Sequence, residues 1–278
     1  MRIELNRKIS LLMLLVLSSA FSLPVHADLV FAAPPRESLE RGEELYGPIA
    51  RLLTAELGVK VVYELPRNWK KYTEKMQSNM YDIVFDGPHF AAWRIKYLGH
   101  VPVVRLPGEL SFVVVIRRDE KRIFEPHDLI KTNTPLCGMP PPNLATIAVL
   151  RQFSNPIIQP VIYETLGFQE GYELFRAGKC KAAIFQARFV DKLPPAEKAQ
   201  LKILFTGGGA LPEQTITVSG RVTASQRATL AALLTRSQGL PATAELLKQF
   251  TKQAKNFKTA NSEDYPGLEA LLEEMWGW

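Results

Sequence analysis

The chain has 278 residues, 46% of them hydrophobic, and a formal charge of +6. That is enough apolar content to bury a sizeable core in one large domain or two lobes of ordinary size. The basic residues are interspersed with acids, as in Arg36, Glu37, Glu40, Arg41, Glu43 and Glu44, a solvated helix face that excludes a nucleic-acid-binding stripe.

From the N-terminus, Arg2, Arg7 and Lys8 precede an apolar run, Leu11 to Leu17, and Val25-His26-Ala27 fits a small-x-small cleavage site. Residues 1–27 are therefore expected to be a cleavable secretory signal. Their apolar core is too short to span a bilayer. No cysteine follows it, so no lipid anchor is expected. The leader carries a net +2, which leaves +4 on the residues from Asp28 onward. No later stretch approaches the roughly 20 apolar residues of a membrane helix. A soluble exported protein, in a bacterial periplasm, is the expectation.

Strands and helices then alternate. "DLVFAA" (28–33) is a short apolar strand broken by Pro34-Pro35. Leu39, Leu45, Ile49, Leu52, Leu53 and Leu57 recur at helical spacing, and Gly58 closes that helix. "VKVVYEL" (59–65) alternates as a strand does, and a polar helix follows from about Trp69 to Asn79. "DIVF" (82–85) is the next strand, with a helix beginning near Pro88. "VPVVRL" (101–106) completes a βαβαβαβ pattern, which predicts a parallel sheet with helices on both faces. "ELSFVVVIRRDE" (109–120) breaks the rhythm: it suits an antiparallel neighbour of the preceding strand or a strand leading out of the first lobe.

The alternation restarts with strands at 135–139, 156–163, 180–186 and 201–208. Helices lie between, over "PPNLATIAVLRQF" and over "FQEGYELFRAG" as far as Gly178. "TGGGAL" (206–211) lacks the Lys-Ser/Thr of a phosphate loop and reads as a lobe-crossing turn. "EQTITVSG" (213–220) is placed to carry the chain back. The remainder reads as helices, the last from Pro266 to Trp276. The expected division is 28–118 plus 213–278 for one lobe and 119–212 for the other. Two such lobes leave a cleft, and ligands of open parallel sheets sit beyond the carboxyl ends of strands. Those ends are Ala32 to Arg36, Asp86 to Phe90, Met139 to Asn143 and Gln186 to Arg188, each just before a helix whose N-terminus favours anions.

Several of these segments carry a family resemblance. "YDIVFDGPHFAAW", "SFVVVIRRDEKRIFEPHDLI", "GKCKAAIFQARFV" and the tail "FKTANSEDYPGLEALLEEM", in that order, resemble the periplasmic phosphate/phosphite/phosphonate-binding proteins of ABC importers. The resemblance spans nearly all of the chain after the leader. It implies an α/β fold of two doubly wound lobes joined by a two-segment hinge, the type II periplasmic binding protein fold, which closes on its ligand. It implies a monomeric binding protein rather than an enzyme, with no cofactor, that delivers a small polar ligand to an ABC permease in the inner membrane. The ligand would be a phosphonate-like oxyanion or a zwitterionic organic relative.

One departure bears on the ligand. Phosphonate binders of the family place a Ser-Thr-Ser type run at the start of the first helix of the second lobe, where this chain has Pro140, Pro141 and Pro142. Prolines donate no N–H, which leaves Asn143 and Thr146 as candidate contacts. Asp86 is either a ligand contact, which would favour a zwitterion or cation, or a local cap. His89 is a donor to the ligand or a cap neighbour. Phe90 and Trp93 are cleft walls or core. Arg36 is a partner for an anion or part of the charged helix face. Gln186 is placed to reach the cleft, with Arg188 facing solvent. No His or acid cluster has metal-ligand spacing. In the doubly wound order the strands bearing Cys137 and Cys180 are neighbours, so the pair is either a disulfide or two buried thiols.

Two other roles suit the same fold: a ligand sensor for a membrane receptor or kinase, and an exported enzyme. The second has no G-x-S-x-G elbow, H-E-x-x-H motif or Cys-His arrangement to support it.

Overall fold

The computed structural model describes residues 27–153, 155, 157–251 and 254–275. Residues 1–26 of the expected leader and the Trp276 end of the last predicted helix lie outside the described residues. The structure is α/β, with two mixed sheets and two lobes.

The first sheet has six strands. β1 (Leu29–Ala32) is parallel to β2 (Val61–Glu64) on one side and to β3 (Ile83–Asp86) on the other. β4 (Val101–Arg105) runs in the same direction as β3, but the two do not pair. β10 (Thr215–Val218) lies antiparallel between them, and β11 (Lys258–Thr259) closes the edge beside β4. The sheet is therefore mixed, because the chain returns from the second lobe and inserts β10. All four residues of β3 are buried, as expected of a central strand covered on both faces.

The helices begin and end on recognisable signals. α1 (Leu39–Leu57) is capped by Ser38, whose Oγ accepts from the Arg41 N–H at 3.2 Å. It buries Leu45, Ile49, Leu53 and Leu57 along one face and ends at Gly58 with φ 67°, a left-handed position suited to glycine. α2 is Trp69–Gln77. α3 (Pro88–Leu98) starts with Pro88, whose missing N–H costs nothing in the first turn.

The second sheet has the order β7-β6-β8-β5-β9. β6 (Leu136–Gly138) is parallel to β7 (Ile162–Glu164) and β8 (Ala182–Gln186). β5 (Glu109–Arg117) is antiparallel to both β8 and β9 (Leu201–Pro212). The segment 109–120 is thus no neighbour of β4: it leads out of the first sheet and into the second. The change of sheet falls at 106–108, ahead of the border expected after residue 118. On the return, Gln214 accepts from the Leu106 N–H at 2.9 Å, so the two crossing segments are bonded to each other.

Three further expectations are corrected. Residues 206–211 are not a turn; they pair with β5 through Gly207–Phe112 and Leu211–Leu110, with a register shift between. Gly207 is needed there because a Cβ would lie 2.8 Å from Val149 Cγ2, on helix α5 (Leu144–Leu150). The strand expected over 156–163 is β7 alone. The last helix is shorter than its pattern, α11 (Ala270–Glu273).

The remaining helices are α4 (Pro126–Lys131), α6 (Phe168–Arg176), α7 (Ala187–Asp191), α8 (Pro195–Lys198), α9 (Ala224–Thr235) and α10 (Leu240–Phe250). Cys137 and Cys180 are joined by a disulfide with Cα atoms 5.7 Å apart, at the core between β6, β8 and α6. A second core cluster is shared by the lobes: Tyr72, Val84 and Phe90 of the first meet Phe112, Leu144 and Ile147 of the second.

Candidate functional site

Three strand ends converge between the lobes around a cavity of about 290 Å³. β3 ends at Asp86, and Gly87-Pro88 turns the chain into α3. β6 ends before Met139, and the proline-rich loop leads into α5. β8 ends at Gln186, directly ahead of α7. Behind them Gln214, on the returning crossing segment, completes the polar wall. Arg36 reaches the same cavity from the turn after β1.

Asp86 does not belong to the wall. Its side chain is fully buried, and both oxygens are held by Arg94, at 2.7 Å from Nη1 and 2.7 Å from Nη2. The Tyr72 hydroxyl donates to the same carboxylate. Arg94, itself 1% exposed, donates through Nε to Thr217 Oγ1 at 3.1 Å. The group ties α3 to β3, α2 and β10. Burial, followed by the Asp86 charge, pushes the Tyr72 phenol well above its ordinary range. The Asp86 carboxylate, expected as a ligand contact or a local cap, is committed to Arg94 and Tyr72 and does not line the cavity.

His89 does line the cavity. Its Nε2 lies 3.2 Å from the Pro142 carbonyl oxygen of the other lobe. A carbonyl only accepts, so Nε2 carries the proton and Nδ1 is the bare nitrogen. Nδ1 has no partner. Burial pushes the imidazole down to about 4, outweighing the Pro142 hydrogen bond and the Asp86 charge, so it is neutral near pH 7. Gly87 makes room for the ring: a Cβ there would sit 2.7 Å from His89 Cε1.

Phe90 and Thr146 lie behind the wall. Phe90 is fully buried, stacked on Trp69 with ring centroids 6.0 Å apart; Trp69 is the ring that reaches the cavity. Trp93 packs on the shared core beside Tyr97. Thr146 is fully buried and donates to the Met139 carbonyl at 2.6 Å. Asn143 lines the cavity while capping α5, its Oδ1 accepting from the Ala145 N–H at 3.0 Å.

On the second lobe Gln186 reaches the cavity, and Arg188, half-buried, lines it too. Arg188 Nε donates to Gln186 Oε1 at 2.7 Å, and its Nη1 pairs with Glu213. Glu213 is fully buried, and that burial raises its carboxyl above the ordinary range against the opposing pull of Arg188. The pair links α7 to a crossing segment. Arg36 is exposed, and no carboxylate is paired with it among the described residues. The rest of the wall is apolar, with Trp69, Phe112, Phe168 and Phe250 supplying rings. Sequence reasoning missed the rings of Trp69, Phe112 and Phe168, and also Gln214, Gln249 and Phe250, which come from segments with no strand-end signal. Trp69 opens the helix that follows β2, a signal that could have found it.

Among the described residues no group of three or more His, Cys, Asp or Glu is arranged to hold a metal ion. No helix among them is long and apolar enough to cross a membrane.

Comparison with known structures gives the same architecture. A protein from Xanthomonas citri bound to ATP superposes with a TM-score of 0.67 at 14% identity, over 89% of this chain and 97% of that one. Methylphosphonate-bound PhnD1 from Prochlorococcus marinus gives 0.64 at 15% identity, over 89% and 97%. A binding-protein component of an ABC phosphonate transporter from Pseudomonas aeruginosa gives 0.61 at 13%, over 89% and 86%. Identities this low speak to the fold, that of two-lobed type II periplasmic binding proteins. Among curated proteins no relative matches. The family model for the periplasmic substrate-binding protein of phosphonate ABC transporters matches residues 31–265. With nearly all of the described chain inside that match, this protein belongs to the family of periplasmic substrate-binding proteins of ABC phosphonate transporters.

Proposed function

We propose that this protein captures a small phosphonate-type oxyanion between its two lobes and delivers it to the permease of an ABC importer. The observation that carries the reading is the charge of the cavity wall. Arg36 and Arg188 line it, Arg188 also paired with Glu213, and among the described residues no carboxylate lines it. Guanidinium groups match the oxygens of a phosphonate in both charge and geometry. His89, Asn143, Gln186 and Gln214 add polar atoms around them. The donor-poor run Pro140-Pro141-Pro142 places more of the anion's binding on side chains and less on the α5 N-terminus.

The proposed lobes are 28–106 with 215–275, and 109–212, with 107–108 and 213–214 as the hinge. Leader 1–27 would direct export to the periplasm, where the protein acts as a monomer without a cofactor. A zwitterionic ligand has lost its motive, because Asp86 is committed to Arg94.

Titration calorimetry of the exported chain with methylphosphonate, phosphite and phosphate tests the reading. Saturable 1:1 binding of at least one, with compaction in small-angle scattering, is expected. If a folded sample binds none of the three, the proposed ligand class is wrong.

A further inference from the structure

Resting on the phosphonate reading above, we propose that the cleft selects phosphonates with an uncharged, apolar substituent and rejects those that carry an ammonium group. Both ionised residues on the wall, Arg36 and Arg188, are cationic. An ammonium drawn out of water needs a carboxylate to compensate it. Two acids stand beside the wall in sequence, Asp86 before Gly87 and Glu213 before Gln214. Both are fully buried, and each already holds an arginine. An ammonium in the cavity would meet the like charge of Arg36 and, among the described residues, no free counter-ion.

The remaining wall suits an apolar group. Trp69, Phe112, Phe168 and Phe250, with Leu110 and Leu144, line the cavity beside the polar side chains. A ring face attracts a cation, but more weakly than a carboxylate does, and here the Arg36 guanidinium opposes it, while the charge of Arg188 is already compensated by Glu213. The volume points the same way. A cavity of about 290 Å³ is worth roughly ten waters at about 30 Å³ each, so an oxyanion head leaves much of it for a substituent.

The test compares n-propylphosphonate with 2-aminoethylphosphonate, which differ by a terminal methyl against a terminal ammonium at nearly equal size. Methylphosphonate serves as reference. By titration calorimetry on the exported chain, propylphosphonate should bind at least about tenfold tighter than aminoethylphosphonate, and tighter than methylphosphonate. Aminoethylphosphonate binding as tightly as propylphosphonate overturns the selection and spares the phosphonate reading. Propylphosphonate no tighter than methylphosphonate overturns the apolar half. Failure of all three to bind a protein with native circular dichroism overturns the selection, and the reading beneath it falls as well if phosphite and phosphate also fail. Asn143→Asp supplies a second arm, since Asp also caps helices well and sets a carboxylate on the wall. It should narrow the propyl-to-aminoethyl ratio at least about fivefold, whatever it does to the affinity for either ligand; an unchanged ratio counts against the proposal.

Discussion

Asp86→Asn keeps the size of the side chain and removes the charge that compensates Arg94. In the structure the carboxylate has no exposure, the guanidinium is 1% exposed, and two charge-assisted bonds of 2.7 Å join them. Leaving one member of such a pair uncompensated costs about 3–5 kcal/mol. For a chain of this length each kcal/mol moves the melting temperature by roughly 2–4 °C, so a fall of roughly 6–20 °C is expected. Arg94→Met should cost a similar amount from the other side. The double variant Asp86→Asn/Arg94→Met should recover part of the loss, because it buries no unpaired charge.

The assay is thermal or urea unfolding of the four proteins, run beside calorimetry with methylphosphonate. No Asp86 atom reaches the wall, so affinity in a folded Asp86→Asn sample should stay within about threefold of the parent. Near-parental stability with binding weakened more than tenfold would refute the reasoning. It would return Asp86 to the ligand and leave Arg94 as its positioning partner.

Other expectations follow from the same geometry. Arg36→Gln should weaken methylphosphonate binding about 10- to 100-fold with little change in melting temperature, since a charge-assisted bond is worth about 1.5–3 kcal/mol and the residue is exposed. Replacing Cys137 and Cys180 together with Ala, or reducing the bond, should cost about 4 kcal/mol by loop-closure entropy for a sequence separation of 43, read from urea midpoints. His89 titrates near 4 in the fold against about 6.5 unfolded. Its contribution is whole above about 6.5 and is lost as pH falls toward 4, because the unfolded chain takes the proton first. Relative to a His89→Gln variant, the parent should lose about 3 kcal/mol of stability across that window; parallel stability–pH curves would contradict the burial argument. Gly87→Ala should displace the His89 ring and weaken methylphosphonate binding more than it lowers stability.

How much of this was legible in the sequence depends on the range of the forces involved. The turn at Gly87-Pro88 was readable because a strand stop and a helix start are local: Pro88 fixes φ, and the apolar run of β3 ends at a residue whose neighbours cannot continue it. The same local logic placed Gln186 and Asn143 at the cleft. It failed for Asp86 because a carboxylate at a strand end has the same local signature whether it faces a ligand or an arginine. Arg94 lies eight residues on, outside the i+3 and i+4 spacings that pattern reading tests, and only the docking of α3 on β3 and β10 brings it within 2.7 Å. The nonlocal sheet pairing was hidden for a related reason. β5 follows β4 by a short turn, which favours a hairpin on loop length alone, yet both its edges pair with β8 and β9, drawn from residues 182–212. β10 then fills the place beside β4. One omission thus explains another: with a border drawn after residue 118, which keeps β5 in the first lobe, the segment joining β9 to β10 has no reason to run beside 106–108. Its residues Glu213 and Gln214 then have no reason to stand behind Arg188 at the cavity, where the structure puts them.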